Sequence, residues 1–276
     1  MPKFVIGIGS QRAGSTLLHR ILDECTPVMM HPVKELHYFD TLHGIRAPKV
    51  LTDFSQRQLD REFARLASAE GPEKIGRRVG CYLNTNWMLY SRPVHEINYH
   101  SLFKPFLGRE FVGETTPEYM LLSDEQIAEM RSVVGAEARI ILVTRHPLER
   151  FLSAYKLLKV YGGGEVDKER FSDDLAETLE TMPSWIEQQI ALNDYVGAEK
   201  RFRKHFDNVL VLSYEEMTSN LRHVVAGVAE FIGVEVDLDK AESFSSQRVN
   251  SIGETGSVAP DVLEKVRARL GLSSKS

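Results

Sequence analysis

The chain has 276 residues, 42% of them hydrophobic, and a formal charge of −5 at pH 7. That size suits one large α/β domain, and the acidic balance argues against a general nucleic-acid binder, which is usually basic. Cys25 and Cys81 are the two cysteines, too few for a zinc cluster or a disulfide framework and in keeping with a reducing compartment. No apolar run approaches the ~20 residues that span a bilayer. The folded pattern begins by Lys3, which leaves no room for a signal peptide. The expectation is a soluble, cytoplasmic protein.

Phe4-Val5-Ile6 with Ile8 reads as a short buried strand bounded by glycines. Gly9 and Gly14 bracket a four-residue turn, and Ser15-Thr16-Leu17-Leu18 opens a helix that continues through Ile21 and Leu22. Such a turn points backbone N–H groups at one spot, at the positive end of a helix. It is a site for a phosphate or another tetrahedral anion, with Ser10, Gln11, Arg12, Ala13, Gly14, Ser15 and Thr16 around it. The spacing is G-x-x-x-x-G-S-T, whereas a nucleotide triphosphatase loop reads G-x-x-x-x-G-K-[ST], its lysine reaching the β/γ-phosphates. Ser15 stands in the place of that lysine, and the cation lies inside the loop, at Arg12.

Val28-Met29-Met30 is a second short apolar segment, followed by His31 to Asp40 with Lys34 and Glu35 as a charged pair. Open α/β sheets put their sites outside the carboxyl ends of their strands, which is where this pair falls. A solvated turn is the alternative. Residues 52–69 carry a surface-helix pattern through Phe54, Leu59, Phe63 and Leu66. Residues 70–110 are rich in aromatics and interrupted by Pro93 and Pro105. They read either as core filler under long loops or as the wall of an acceptor pocket. Phe111 to Pro117 reads as a strand ending in a turn, and Ser123 to Val134 as a helix with Ser123 and Gln126 as a capping box.

Ile140 to Val143 is an uninterrupted apolar run, the pattern of a buried parallel strand. A triphosphatase often ends such a strand in Asp to hold magnesium; here it ends in Thr144-Arg145. Pro147 suits the first position of a helix. Ser153, eight residues after Arg145, then lies under two turns from the helix start. Arg145 and Ser153 are a candidate pair for a second phosphate, the alternative being a structural arginine and a helix-facing serine. Tyr161 to Val166 is a glycine-rich break, a mobile lid or a solvent loop. Phe171 to Thr181 and Trp185 to Phe206 read as helices, Val209 to Leu212 as a strand, and Leu221 to Ile232 as a helix capped by Gly233. Gln247 to Ser251 precedes a polar segment, and Pro260 opens a last helix to Leu270. The whole is one domain over residues 1–276, built on strand–helix alternation, with 41–110 elaborating the acceptor side.

Together these residues resemble the sulfotransferases that use 3′-phosphoadenosine 5′-phosphosulfate (PAPS). Gly9 to Thr16 is similar to the family's 5′-phosphosulfate loop, G-x-x-[KR]-x-G-[ST]-[ST]. Arg145 to Tyr155 is similar to its 3′-phosphate block, an arginine after a buried strand and a serine eight residues on. Lys34 to Phe39, KELHYF, resembles the K-E-x-x-[FY]-F segment of the heparan-type glycan sulfotransferases. The resemblance implies a P-loop-like three-layer α/β fold with a central parallel sheet flanked by helices. It implies that the 10–16 loop binds the phosphosulfate, that Arg145 and Ser153 bind the 3′-phosphate, and that Arg248 helps close over the nucleotide. It places Glu35 as the general base, with His37 as a rival, and Lys34, His37 and Thr115 beside the acceptor.

Arg12 would stabilise charge on the leaving phosphate oxygen, and no metal is required. Many relatives have lysine at the position of Arg12, with arginine in the protein-tyrosine sulfotransferases. Heparan-type members carry a lysine near the position of Thr115 and a C-terminal disulfide. This chain has neither, which weighs against a heparan-like polymer as acceptor. The leading expectation is sulfuryl transfer from PAPS to a hydroxyl of a carbohydrate or small metabolite. A P-loop kinase and a non-catalytic module binding adenosine 3′,5′-bisphosphate are the alternatives. The acceptor and the oligomeric state are not set by the sequence.

Overall fold

The computed structural model describes residues 2–68, 76–161, 167–245 and 256–272. Its centre is a five-stranded, wholly parallel sheet: β1 (Lys3–Gly9), β2 (Met29–Met30), β3 (Phe111–Thr115), β4 (Arg139–Thr144) and β5 (Val209–Ser213), in the order β2-β3-β1-β4-β5. Parallel strands are buried on both faces, which explains the unbroken apolar runs of β1 and β4. Side chains alternate between the two faces. Phe4, Ile6 and Ile8 of β1 join one core, while Val5 joins the other.

The first core lies under α2 (Tyr38–Leu42), α3 (Pro48–Ser68), α4 (Arg77–Ser91), α5 (Tyr99–Leu102), α6 (Asp124–Val134) and a later helix, α10. Tyr99, Phe103, Phe106, Tyr119 and Phe39 pack there, with ring centroids of neighbouring pairs about 5 Å apart. On the opposite face the second core is covered by α1 (Ser15–Cys25), whose Leu17, Leu18, Ile21 and Leu22 turn inward. A third apolar cluster joins α7 (Pro147–Tyr161), α8 (Phe171–Thr181) and α9 (Pro183–Ala191). The chain continues through α10 (Tyr195–His205), α11 (Tyr214–Ser219), α12 (Leu221–Ile232), α13 (Leu238–Ser245) and α14 (Pro260–Arg269). α11, α12 and α13 share the second core with α1, and α14 packs on the third cluster. The fold is the expected P-loop-like α/β architecture.

Two expectations need correction. Of the aromatic stretch, Tyr99, Phe103 and Phe106 fill the core while Trp87 and Tyr90 are exposed, and the stretch is carried by helices: α4 runs for 15 residues where long loops were one of the two readings. The helix expected over residues 185–206 is broken into α9 and α10 at Leu192 to Asp194, where the Asp194 carboxylate accepts the Gly197 N–H at 2.9 Å and starts α10 afresh. The expected capping box at Ser123 and Gln126 is present, and Gly233 closes α12 at φ 84°. Residues 162–166, and Arg248 with its neighbours 246–255, lie outside the described residues.

Candidate functional site

Every parallel strand ends at the same edge of the sheet, so the segments after β1, β2, β3 and β4 meet there. The segment after β1 is the Gly9–Gly14 turn. Gly14 has φ 101°, and a Cβ on it would sit 2.8 Å from the Tyr214 ring and 2.9 Å from the Met217 methyl. Backbone conformation and packing both demand glycine. Arg12, at φ 73°, is held in the left-handed region without being glycine, the kind of strain that clusters at functional sites. Ser10 and Ala13 are buried, and the Ala13 N–H donates to the Ser10 carbonyl at 2.9 Å, closing the turn. Ser15 and Thr16 form the first turn of α1, where the leading N–H groups of a helix have no intrahelical acceptor.

The segment after β4 closes onto this loop. Arg12 Nε donates to Ser153 Oγ of α7 at 3.0 Å, and Arg145 Nη1 donates to the Arg12 carbonyl at 3.0 Å. Arg145 also stacks on Tyr214, its guanidinium carbon 4.6 Å from the ring centroid, and its buried Nε makes no hydrogen bond. Two residues 141 apart and a second cation are thus interlocked at one spot. Tyr214 was not among the sequence candidates. Its position at the start of the helix after β5, facing the same edge, was the available signal.

A second group of charges follows β2. Lys34 and Glu35 form an ion pair, and Glu35 Oε2 lies 3.6 Å from His37 Nε2. His37 Nδ1 meets Asp40 Oδ2 at 2.8 Å and lies 3.8 Å from Glu118 Oε2. Arg46 ties the two carboxylates together, 3.3 Å from Asp40 and 3.1 Å from Glu118. Asp40, Arg46 and Glu118 were missed in the sequence, although Glu118 follows the Glu114-Thr115-Thr116-Pro117 turn directly. Burial works against a proton on His37, but hydrogen bonds to Asp40 and Glu35, with the charge of Glu118, outweigh it and raise the imidazole to about 9. Burial likewise opposes charge on Glu35, yet Lys34 and then His37 hold its carboxyl well below the usual range. His37, Asp40 and Glu118 bring possible metal-ligand atoms within 4.8 Å of one another, but Arg46 already supplies a cation to both carboxylates.

Thr115 does not join this group. It pairs with Gly7 in the register of β3 and faces α1, fully buried, so that a Cβ on Gly7 would lie 2.7 Å from its methyl. Glu114 faces the opposite way, toward Tyr99 and Tyr119. Among the described residues no helix is long and apolar enough to cross a membrane.

A wholly parallel sheet, flanked by helices and with a glycine turn leading into a helix N-terminus at its carboxyl edge, defines an α/β protein of the P-loop-like class. A family model described as the sulfotransferase family matches residues 2–238, and the chain belongs to that family. Among solved structures, a sulfotransferase from Alicyclobacillus acidocaldarius has the same fold at a TM-score of 0.57 and 22% identity, over 98% of this chain and 94% of that one. Sulfotransferase STF9 from Mycobacterium avium gives 0.53 and 14%, over 97% of this chain and 75% of that one. No curated protein sequence matches the chain.

Proposed function

We propose that this sulfotransferase moves a sulfuryl group from PAPS to a hydroxyl of a carbohydrate or small metabolite. The observation that carries the reading is the junction of Arg12, Ser153 and Arg145, where two sequence blocks meet to form one cationic seat. The 10–16 loop and α1 offer backbone N–H groups to the 5′-phosphosulfate, and Arg145 with Ser153 serves the 3′-phosphate. Arg248 is proposed to close over the nucleotide. In the transfer, the acceptor oxygen bonds to sulfur as the bond from sulfur to the phosphate oxygen breaks. Charge grows on that phosphate oxygen, where the permanently charged guanidinium of Arg12 lowers the barrier.

The acceptor proton goes to Glu35. His37, raised to about 9, is protonated at neutral pH and has no lone pair to accept a proton, which favours the carboxylate over the imidazole. Lys34 completes the proposed acceptor side, from which Thr115, fully buried against α1, is left out. No step in this scheme calls for a metal, and the donor and acceptor are the partners it requires.

Radiolabelled PAPS offered with a panel of sugars and alcohols, with products read by mass spectrometry, tests the reaction. Glu35→Gln is expected to lower turnover at least about tenfold while leaving nucleotide binding intact; full activity would remove Glu35 as the base. Arg145→Ala is expected to weaken adenosine 3′,5′-bisphosphate far more than adenosine 5′-phosphate in calorimetry. Equal losses would take the 3′-phosphate away from Arg145.

A further inference from the structure

Three consecutive backbone N–H groups of the loop after β2 converge on one buried carboxylate. The Leu36 N–H donates to Glu114 Oε2 at 3.4 Å. His37 N–H donates to Thr116 Oγ1 at 3.4 Å, and that hydroxyl donates to Glu114 Oε2 at 2.6 Å. Tyr38 N–H donates to the Tyr119 hydroxyl at 3.1 Å, which donates to Glu114 Oε1 at 2.8 Å. The Tyr99 hydroxyl supplies a fourth donor, at 3.0 Å. Glu114, Thr116 and Tyr119 are all fully buried.

We propose that Glu114, Thr116 and Tyr119 form a mould that fixes the Lys34–Tyr38 loop, and that they are positioning residues for Glu35 and His37. The proposal rests on the reading of Glu35 as the base. Glu35 and His37 sit at φ 66° and 50°, on either side of Leu36. Two left-handed residues so close together in a segment without glycine persist only where the surroundings over-determine them. The mould supplies that determination, one acceptor for each N–H.

An ionised carboxylate accepts only, with room for about four donors. Here it meets four, two on each oxygen. Among the described residues no cation pairs with Glu114, and burial pushes its carboxyl up while the hydroxyl and N–H donors pull it back. A buried acid without a counter-ion is costly, and an apolar residue would serve the sheet as well. What the acid adds is the orientation of the loop. β3 pairs with β1 on one side and β2 on the other, so the mould is anchored on an interior strand of the sheet.

Thr116→Val removes one hydroxyl at constant shape, and Thr116→Ser restores it. Release of labelled sulfate from radiolabelled PAPS, with water as the acceptor, gives a rate without knowledge of the natural acceptor. Thr116→Val is expected to lower that kcat about tenfold or more, with the affinity for adenosine 3′,5′-bisphosphate held within about twofold. Thr116→Ser recovers the rate. By NMR, the titration midpoint of His37 moves down in Thr116→Val and stays in Thr116→Ser, a readout that needs no donor.

In a Glu35→Gln background, Thr116→Val should add little further loss, because the mould acts through Glu35. Wild-type kcat in Thr116→Val beside an inactive Glu35→Gln would overturn the mould and leave the base standing. A fully active Glu35→Gln would remove the base itself. Equal loss of nucleotide affinity in Thr116→Val would reduce the mould to general packing and overturn the proposal. Tyr119→Phe, which keeps its ring in the core, repeats each measurement if Thr116→Val does not fold.

Discussion

Asp40 does more for His37 than any other single group. Its carboxylate accepts a hydrogen bond from Nδ1–H at 2.8 Å, and it is itself held by Arg46 and by the Thr41 N–H at 3.1 Å. Asp40→Asn keeps the shape and removes the charge, so the His37 midpoint should fall from about 9 toward the ordinary 6.5. An NMR titration of the imidazole decides it; an unmoved midpoint would credit Glu35 and Glu118 instead. Gly14→Ala is the matching experiment on the anion side. It forces a side chain to φ 101° and into the Tyr214 ring, and it should cost about 1–3 kcal/mol of stability and weaken adenosine 3′,5′-bisphosphate in calorimetry. The meeting of Arg12, Arg145 and Ser153, the proposed anion side, was legible because its signals are local: a loop spacing, an arginine at a strand end and a serine eight residues on. Asp40, Arg46, Glu118 and Glu114 were not, because their meaning lies in long-range contacts, such as those across 72 and 78 residues, and in burial, neither of which leaves a local pattern.

Strands and helices were legible wherever one period ran unbroken. β1 and β4 announce themselves as apolar runs, and the capping box fixes the start of α6. α4 was lost among loops because Thr85 sits between Cys81 and Leu89 on its buried face and hides the helical stripe. The break between α9 and α10 was lost because the apolar rhythm continues through it. What holds that break is Arg150, fully buried at the start of α7. Its guanidinium donates to Asn193 Oδ1 at 2.5 Å, to Gln189 Oε1 at 2.9 Å and to the Gln189 carbonyl at 2.9 Å. That carbonyl belongs to the last turn of α9, where carbonyls lack helical partners and a cation is favoured by the dipole. Burial lowers the Arg150 pKa to about 10, still charged at neutral pH. Arg150→Met should destabilise the protein by roughly 2–4 kcal/mol, since it strands buried acceptors. Arg150→Lys should recover part of this, because an ammonium cannot reproduce the fork. The urea midpoint measures both; a Met variant as stable as the parent would show that the break holds itself.

Three buried histidines set how the whole molecule answers pH, and they pull from opposite ends. Burial lowers His19 to about 3 and His31 to about 4, with Lys34 and Arg78 adding to the effect on His19. His31 is fitted to stay neutral: the Val33 N–H donates to its Nδ1 at 3.0 Å, leaving Nε2 to face the Leu102 carbonyl at 3.2 Å. Below about pH 6.5 the unfolded chain binds protons at these two sites and the folded chain does not. Stability therefore falls as pH drops from 6.5 toward 4, by up to ~1.4 kcal/mol per unit for each histidine. Glu114 and Glu118, whose carboxyls burial pushes up, blunt that fall, because the folded protein takes up their protons first. His37 works from the other side. Raised to about 9, it holds its proton in the folded state after the unfolded chain has lost it. Its contribution is complete below pH 6.5 and is lost as pH rises to about 9, again by up to ~1.4 kcal/mol per unit. Urea unfolding across pH 4–10 should trace a dome with its top near neutrality. His37→Gln should flatten the alkaline side alone, and His31→Gln the acid side alone. An alkaline side as steep in His37→Gln as in the parent would mean that His37 carries no extra proton in the folded protein, and the case for Glu35 over His37 as the base would fall with it.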